Sequence, residues 1–113
     1  MAYNARMVDD SIVTAVKRYL ASLPALGIHP SRAVLFGSFA RGCADKWSDI
    51  DVVVVAPEFD QECDRTLIED MWAARSKADV RIEPIPCGEQ EWLTDERRPL
   101  LTIARREGVE IPA

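Results

Sequence analysis

With 113 residues, 48% of them hydrophobic and 29% charged, the chain has the balance of one globular domain spanning residues 1–113, with enough apolar side chains to fill a core. A net charge of −5 excludes a domain-wide basic field, so direct nucleic-acid binding is not expected. Three cysteines (Cys43, Cys63, Cys87) and one histidine, His29, stand in no CxxC or His–Cys spacing. That excludes a four-ligand structural zinc site and a disulfide framework; reduced thiols, a cytoplasmic setting and no membrane segment are expected.

Residues 11–23 read as an amphipathic helix, with Ile12, Val16, Tyr19, Leu20 and Leu23 at helical spacing and Asp9, Asp10 and Ser11 as capping choices. Pro24, Gly27 and Pro30 punctuate the loop that follows. Residues 32–36 form a short apolar strand that stops at Gly37, residues 38–41 a first helical turn, and residues 42–46 a loop. A second strand spans residues 49–55 and ends at Pro57. Residues 61–75 read as a second helix, with Leu67, Ile68, Met71 and Trp72 on its apolar side. Residues 78–86 alternate as a third strand, Val80 and Ile82 against Asp79, Arg81 and Glu83. A helical turn at residues 89–93, a helix at 99–107 stopped by Gly108, and a short edge strand at 109–111 complete the order. The fold class is α/β of the α+β type: a small mixed sheet with helices packed on one face and the acidic groups on the other, open to ligand.

The chemistry concentrates between Gly37 and Val55, in GSFARGCADKWSDIDVVVV. A glycine after a strand lets backbone approach a ligand closely, and a helical turn behind it aims free N–H groups there. Ser38 can donate its hydroxyl to a phosphate oxygen, and Arg41 can add a charge-assisted contact. Asp49 and Asp51, two apart on a strand, share a face, and their repulsion calls for a positive partner. Magnesium takes one or two such carboxylates together with substrate phosphates, and Asp79 on a neighbouring strand offers a third. Taken singly, each feature has a plain alternative: an ordinary turn, or a solvated strand end. Trp47 reads as packing the loop, with stacking on a base as the alternative, and Cys43 as a tolerated small residue.

Joined, Gly37-Ser38, ten residues, and Asp49-Ile50-Asp51 resemble the signature of the DNA polymerase beta superfamily of nucleotidyltransferases. The fuller text, GSFARG then SDIDVVV, resembles its minimal nucleotidyltransferase branch. ADVRI is similar to that family's third-carboxylate strand, and LLTIARREGVEI, less specifically, to the end of such domains. The resemblance implies a polymerase-beta-like fold in which Gly37 and Ser38 grip the triphosphate and Arg41 contacts phosphate. Asp49 and Asp51 hold Mg2+, and Asp79 completes the site as general base or metal ligand. Glu83, on the same strand face, is the alternative third acid. The implied reaction moves a nucleoside monophosphate, AMP from ATP first of all, onto a hydroxyl and releases pyrophosphate. Minimal members resemble the antitoxin half of a two-component module whose partner is a HEPN-domain toxin, modified on a hydroxyl such as tyrosine. A non-catalytic protein that binds nucleotide or toxin and acts by occlusion is the rival reading. Antibiotic nucleotidylation would need an acceptor pocket that this length disfavours, and a homodimer stays open.

Overall fold

The computed structural model describes residues 8–45, 47–60 and 65–113, which form four α-helices and the four strands of one sheet. In chain order the elements are α1 (Asp10–Ser22), β1 (Arg32–Phe36), β2 (Ile50–Val55), α2 (Arg65–Ala73), β3 (Ile82–Cys87), α3 (Glu89–Thr94), α4 (Pro99–Glu107) and β4 (Val109–Pro112). The sheet order is β3-β2-β1-β4. β1 runs antiparallel to both β2 and β4, while β2 and β3 are parallel, so the chain crosses over between them through α2. The sheet is therefore mixed, as the segment pattern implied.

Local chemistry sets the element ends. Asp9 caps α1, its Oδ1 accepting from the Ser11 N–H at 2.8 Å. The α1 stripe of Ile12, Val16, Tyr19 and Leu20 is buried, and the Tyr19 hydroxyl donates to the Met71 carbonyl at 2.6 Å, tying α1 to α2. Pro99 opens α4, where its missing N–H costs nothing. Gly108 ends α4 with φ −76° and ψ 159°, not in the left-handed conformation expected of a glycine stop. Its lack of a side chain serves packing instead: a Cβ there would overlap the Ala104 carbonyl and Val34. Of the helix expected at residues 61–75, the part at 61–64 lies outside the described residues, and α2 passes into a 3-10 turn at Ala74–Lys77.

The sheet has two apolar faces. Ala33, Leu35, Ile50, Val52, Val54, Ile82, Val109 and Ile111 meet α1 and Met71 on one. Val34, Phe36, Val53, Val55 and Cys87 meet Leu101 and Ala104 of α4 on the other, with Trp92 of α3 beside them. Helices on one face only was the sequence expectation; the second face carries α3 and α4 because those β1 and β2 side chains also need cover. Asp51 shares this second face, at the end where β1 gives way to Gly37. β3 starts at Ile82, not at residue 78. Asp79 folds residues 79–82 into a turn: its Oδ1 accepts from the Arg81 N–H at 2.9 Å and its carbonyl from the Ile82 N–H at 3.1 Å. Val80 is accordingly 67% exposed, not paired in alternation with Ile82. Pro84 and Pro86 fit β3 because it is an edge strand, where a missing N–H breaks no ladder. Among the described residues no helix is long and apolar enough to cross a membrane.

Candidate functional site

The site gathers where β1 ends, β2 begins and β3 begins. Phe36, the last residue of β1, is in register with Asp51. Gly37 follows with φ +75°, a conformation that favours glycine, and a Cβ at this position would run into Asp51 Oδ2. The glycine is thus required twice, by its backbone angle and by its distance from the carboxylate. Beyond it the chain closes as a hydrogen-bonded turn, not as the expected start of a helix. The Arg41 N–H donates to the Gly37 carbonyl at 3.1 Å and the Cys43 N–H to the Ser38 carbonyl at 3.0 Å. Arg41 is exposed, its guanidinium 4.0 Å from the Glu107 carboxylate of α4, and its charge reaches Asp51.

The loop leading into β2 is tied by Asp45, whose Oδ1 accepts from the Trp47 N–H at 2.8 Å and the Ser48 hydroxyl at 3.3 Å. Lys46 lies outside the described residues. Trp47 is 80% exposed, which corrects the expectation that it is half-buried in packing the loop, and its N–H is held by Asp45. Cys43 is exposed and Cys87 buried, the Cys87 thiol pushed up to about 12 by burial and by Glu91, which leaves it unreactive. Cys63 lies outside the described residues.

Three carboxyl groups converge. The parallel register sets Asp51 directly beside Glu83, and Glu83 feels the charges of both Asp51 and Asp49. Burial first, and then the charges of Asp49 and Asp51, raise the Glu83 pKa above the usual carboxylate range. Asp51 is raised as well, by burial and then by the Asp49 charge, against the partly opposing pull of Glu83 and Arg41. Both directions follow from like charges held close together and partly out of water.

Asp79 does not join them. Arg81 Nε donates to its Oδ1 at 3.1 Å and Arg81 Nη2 to its Oδ2 at 2.8 Å, and this pairing holds its carboxyl below the usual range. Asp79 and Arg81 border a groove with Asp10, Thr14 and Arg18 of α1. The structure thus sets Glu83, the alternative third acid, and not Asp79, beside Asp51. The sequence held one local signal, the Asp-x-Arg spacing that closes a turn on itself.

Among the described residues no group of three His, Cys, Asp or Glu side chains stands in an arrangement that could hold a metal ion as it is. The chemistry of the donor set nevertheless fits one. Asp49 just before β2, Asp51 on β2 and Glu83 on β3 supply hard oxygens whose mutual repulsion a cation would offset.

A family model described as nucleotidyltransferase domain matches residues 15–100, a span that contains Gly37, Ser38, Asp49, Asp51 and Glu83. No curated protein matches the chain.

Proposed function

The chain belongs to the nucleotidyltransferase domain family, and from that premise we propose that it moves AMP from ATP onto a hydroxyl of a protein partner. The observation that carries the reading is Asp51, set between the Gly37 turn and Glu83, with Asp49 on the same carboxyl cluster. The Gly37-Ser38 turn and Arg41 bind and align the triphosphate. Asp49 and Asp51, with Glu83 as the third carboxylate, would hold Mg2+, which would supply charge neutralisation for the triphosphate and the leaving pyrophosphate.

In the transfer, the acceptor oxygen forms a bond to the α-phosphorus as the bond from that phosphorus to the bridging oxygen breaks and pyrophosphate leaves. The hydroxyl proton goes to the Glu83 carboxylate, which the β2–β3 register sets beside Asp51. Most of the rate enhancement comes from alignment and charge stabilisation. The partner in this reading is a HEPN-domain toxin, silenced by AMP on a tyrosine hydroxyl in a cytoplasmic toxin–antitoxin pair. The support for this partner is the resemblance of GSFARG and SDIDVVV to the minimal branch.

The test is label transfer from ATP carrying its label on the α-phosphate, with Mg2+ and the co-expressed partner, comparing wild type with the Asp49→Asn/Asp51→Asn double variant. A labelled protein band with wild type alone is the expected result. A double variant that still neutralises the partner, with no band from either protein, would move the assignment to binding by occlusion.

A further inference from the structure

Arg81 makes three contacts that together span the site. Its guanidinium holds both oxygens of Asp79, at 3.1 and 2.8 Å, which fixes the side chain as a fork. Its Cζ lies over the ring of Phe39, 5.7 Å from the centroid, and Phe39 directly follows Gly37-Ser38. Its carbonyl accepts from the Ile50 N–H at 2.9 Å, at the residue between Asp49 and Asp51. The turn that carries Arg81 is held from the opposite side as well. Arg75 Nη1 donates to the carbonyls of Val80 at 3.1 Å and Ile82 at 3.3 Å. Phe39 in turn packs half-buried against the core that underlies α1.

We infer that Arg81 is a positioning residue for the nucleotide, a strut that sets the Gly37-Ser38 turn at a fixed distance from the carboxylates of β2 and β3. The inference rests on the nucleotidyl-transfer reading of the site. A part-exposed ion pair contributes little to stability, so the consequence of this ordered fork lies in geometry. Asp79 acts through Arg81, which accounts for an acidic residue near the site that does not enter it. A turn that grips the triphosphate equally in the ground state and the transition state shows its disturbance as lost affinity, with turnover nearly unchanged.

The experiment is calorimetric titration of ATP with Mg2+ into wild type, Arg81→Ala, Phe39→Leu, Phe39→Tyr and the Arg81→Ala/Phe39→Leu double variant. Thermal melts are recorded alongside. Arg81→Ala and Phe39→Leu should each weaken ATP binding about three- to tenfold, the scale of a cation–π contact. The double variant should bind no worse than the weaker single variant. Phe39→Tyr, which keeps the ring, should bind as wild type does. Wild-type affinity in Arg81→Ala, or additive losses in the double variant, would overturn the inference. Equal losses in Phe39→Leu and Phe39→Tyr that follow lost thermal stability would also overturn it, in favour of a purely structural role. Should Arg81→Ala not fold, the two Phe39 variants decide the matter by themselves. A wild type that binds no ATP would overturn the reading of the site, and this inference with it; ATP binding unchanged across the variants would overturn the inference alone.

Discussion

Asp79 and Glu83 are both acidic, four residues apart and close to the same strand, yet their surroundings push their pKa values in opposite directions. Arg81 lowers that of Asp79, while burial and two aspartates raise that of Glu83. A carboxyl group satisfied on both oxygens by its own neighbour has little left to offer a substrate. One that converges with two others is set to share a cation with them or to take a proton from a hydroxyl. The two are separated by a label-transfer assay on Glu83→Gln and Asp79→Asn. Glu83→Gln should lower turnover about 100- to 1000-fold, the usual cost of removing a group that acts on the transition state. Asp79→Asn should change turnover less than about threefold and act on nucleotide affinity through Arg81. The reverse ranking would return the third-acid role to Asp79. The sequence exposed Gly37, Ser38, Asp49 and Asp51 because their relation is local: a turn, and two residues on one strand. It could not choose between Asp79 and Glu83, because that choice depends on how β3 slides along β2, and the register pairing Asp51 with Glu83 is a tertiary fact.

At the scale of elements, the segments legible beforehand are those whose ends are written in the chain. β1 spans the apolar run Arg32–Phe36 up to Gly37, and α4 runs from Pro99 to Glu107. The elements misjudged are those whose ends or cover come from elsewhere. The start of β3 depends on the Asp79 turn, and the second-face cover depends on α4 reaching Val34 and Val53. The N-terminus of α3 falls at the expected residue 89, although its cap comes from a distant residue. Asp60 accepts from the N–H groups of Glu89 at 2.9 Å, Gln90 at 3.0 Å and Glu91 at 3.4 Å. Gly88 has no room for a Cβ because the same carboxylate fills that space. Asp60→Ala should cost about 1 kcal/mol in urea unfolding, the typical value of an N-terminal cap, with Asp60→Asn losing less. Because the cap lies at the far end of β3 from Glu83, ATP affinity should stay at the wild-type value. A loss of affinity without a loss of stability would mean that α3 communicates with the site.

For the molecule as a whole, the carboxyl cluster sets function against stability, and pH reveals the sign. Folding raises the pKa of Glu83 and Asp51, so between the ordinary carboxylate value and the raised one the native state binds more protons than the unfolded chain. Over that window stability falls as pH rises; the penalty is fully present above the raised value and absent below the ordinary one. Asp79 and Glu58 work the other way. Their lowered pKa values supply stability that is present at neutral pH and lost as pH falls through the acid range. Comparing wild type with Glu83→Gln cancels the second effect and isolates the first. In a chelating buffer, Glu83→Gln should melt a few degrees above wild type at pH 7.5, an increment typical of relieving strain at an active site. That difference should shrink toward zero near pH 4 as wild type takes up its protons. Added Mg2+ should raise the wild-type melting temperature more than that of Glu83→Gln, because the cation offsets the repulsion that the substitution has already removed. A Glu83→Gln variant that melts below wild type at pH 7.5 would show that the cluster is held together by favourable hydrogen bonds and carries no net repulsion.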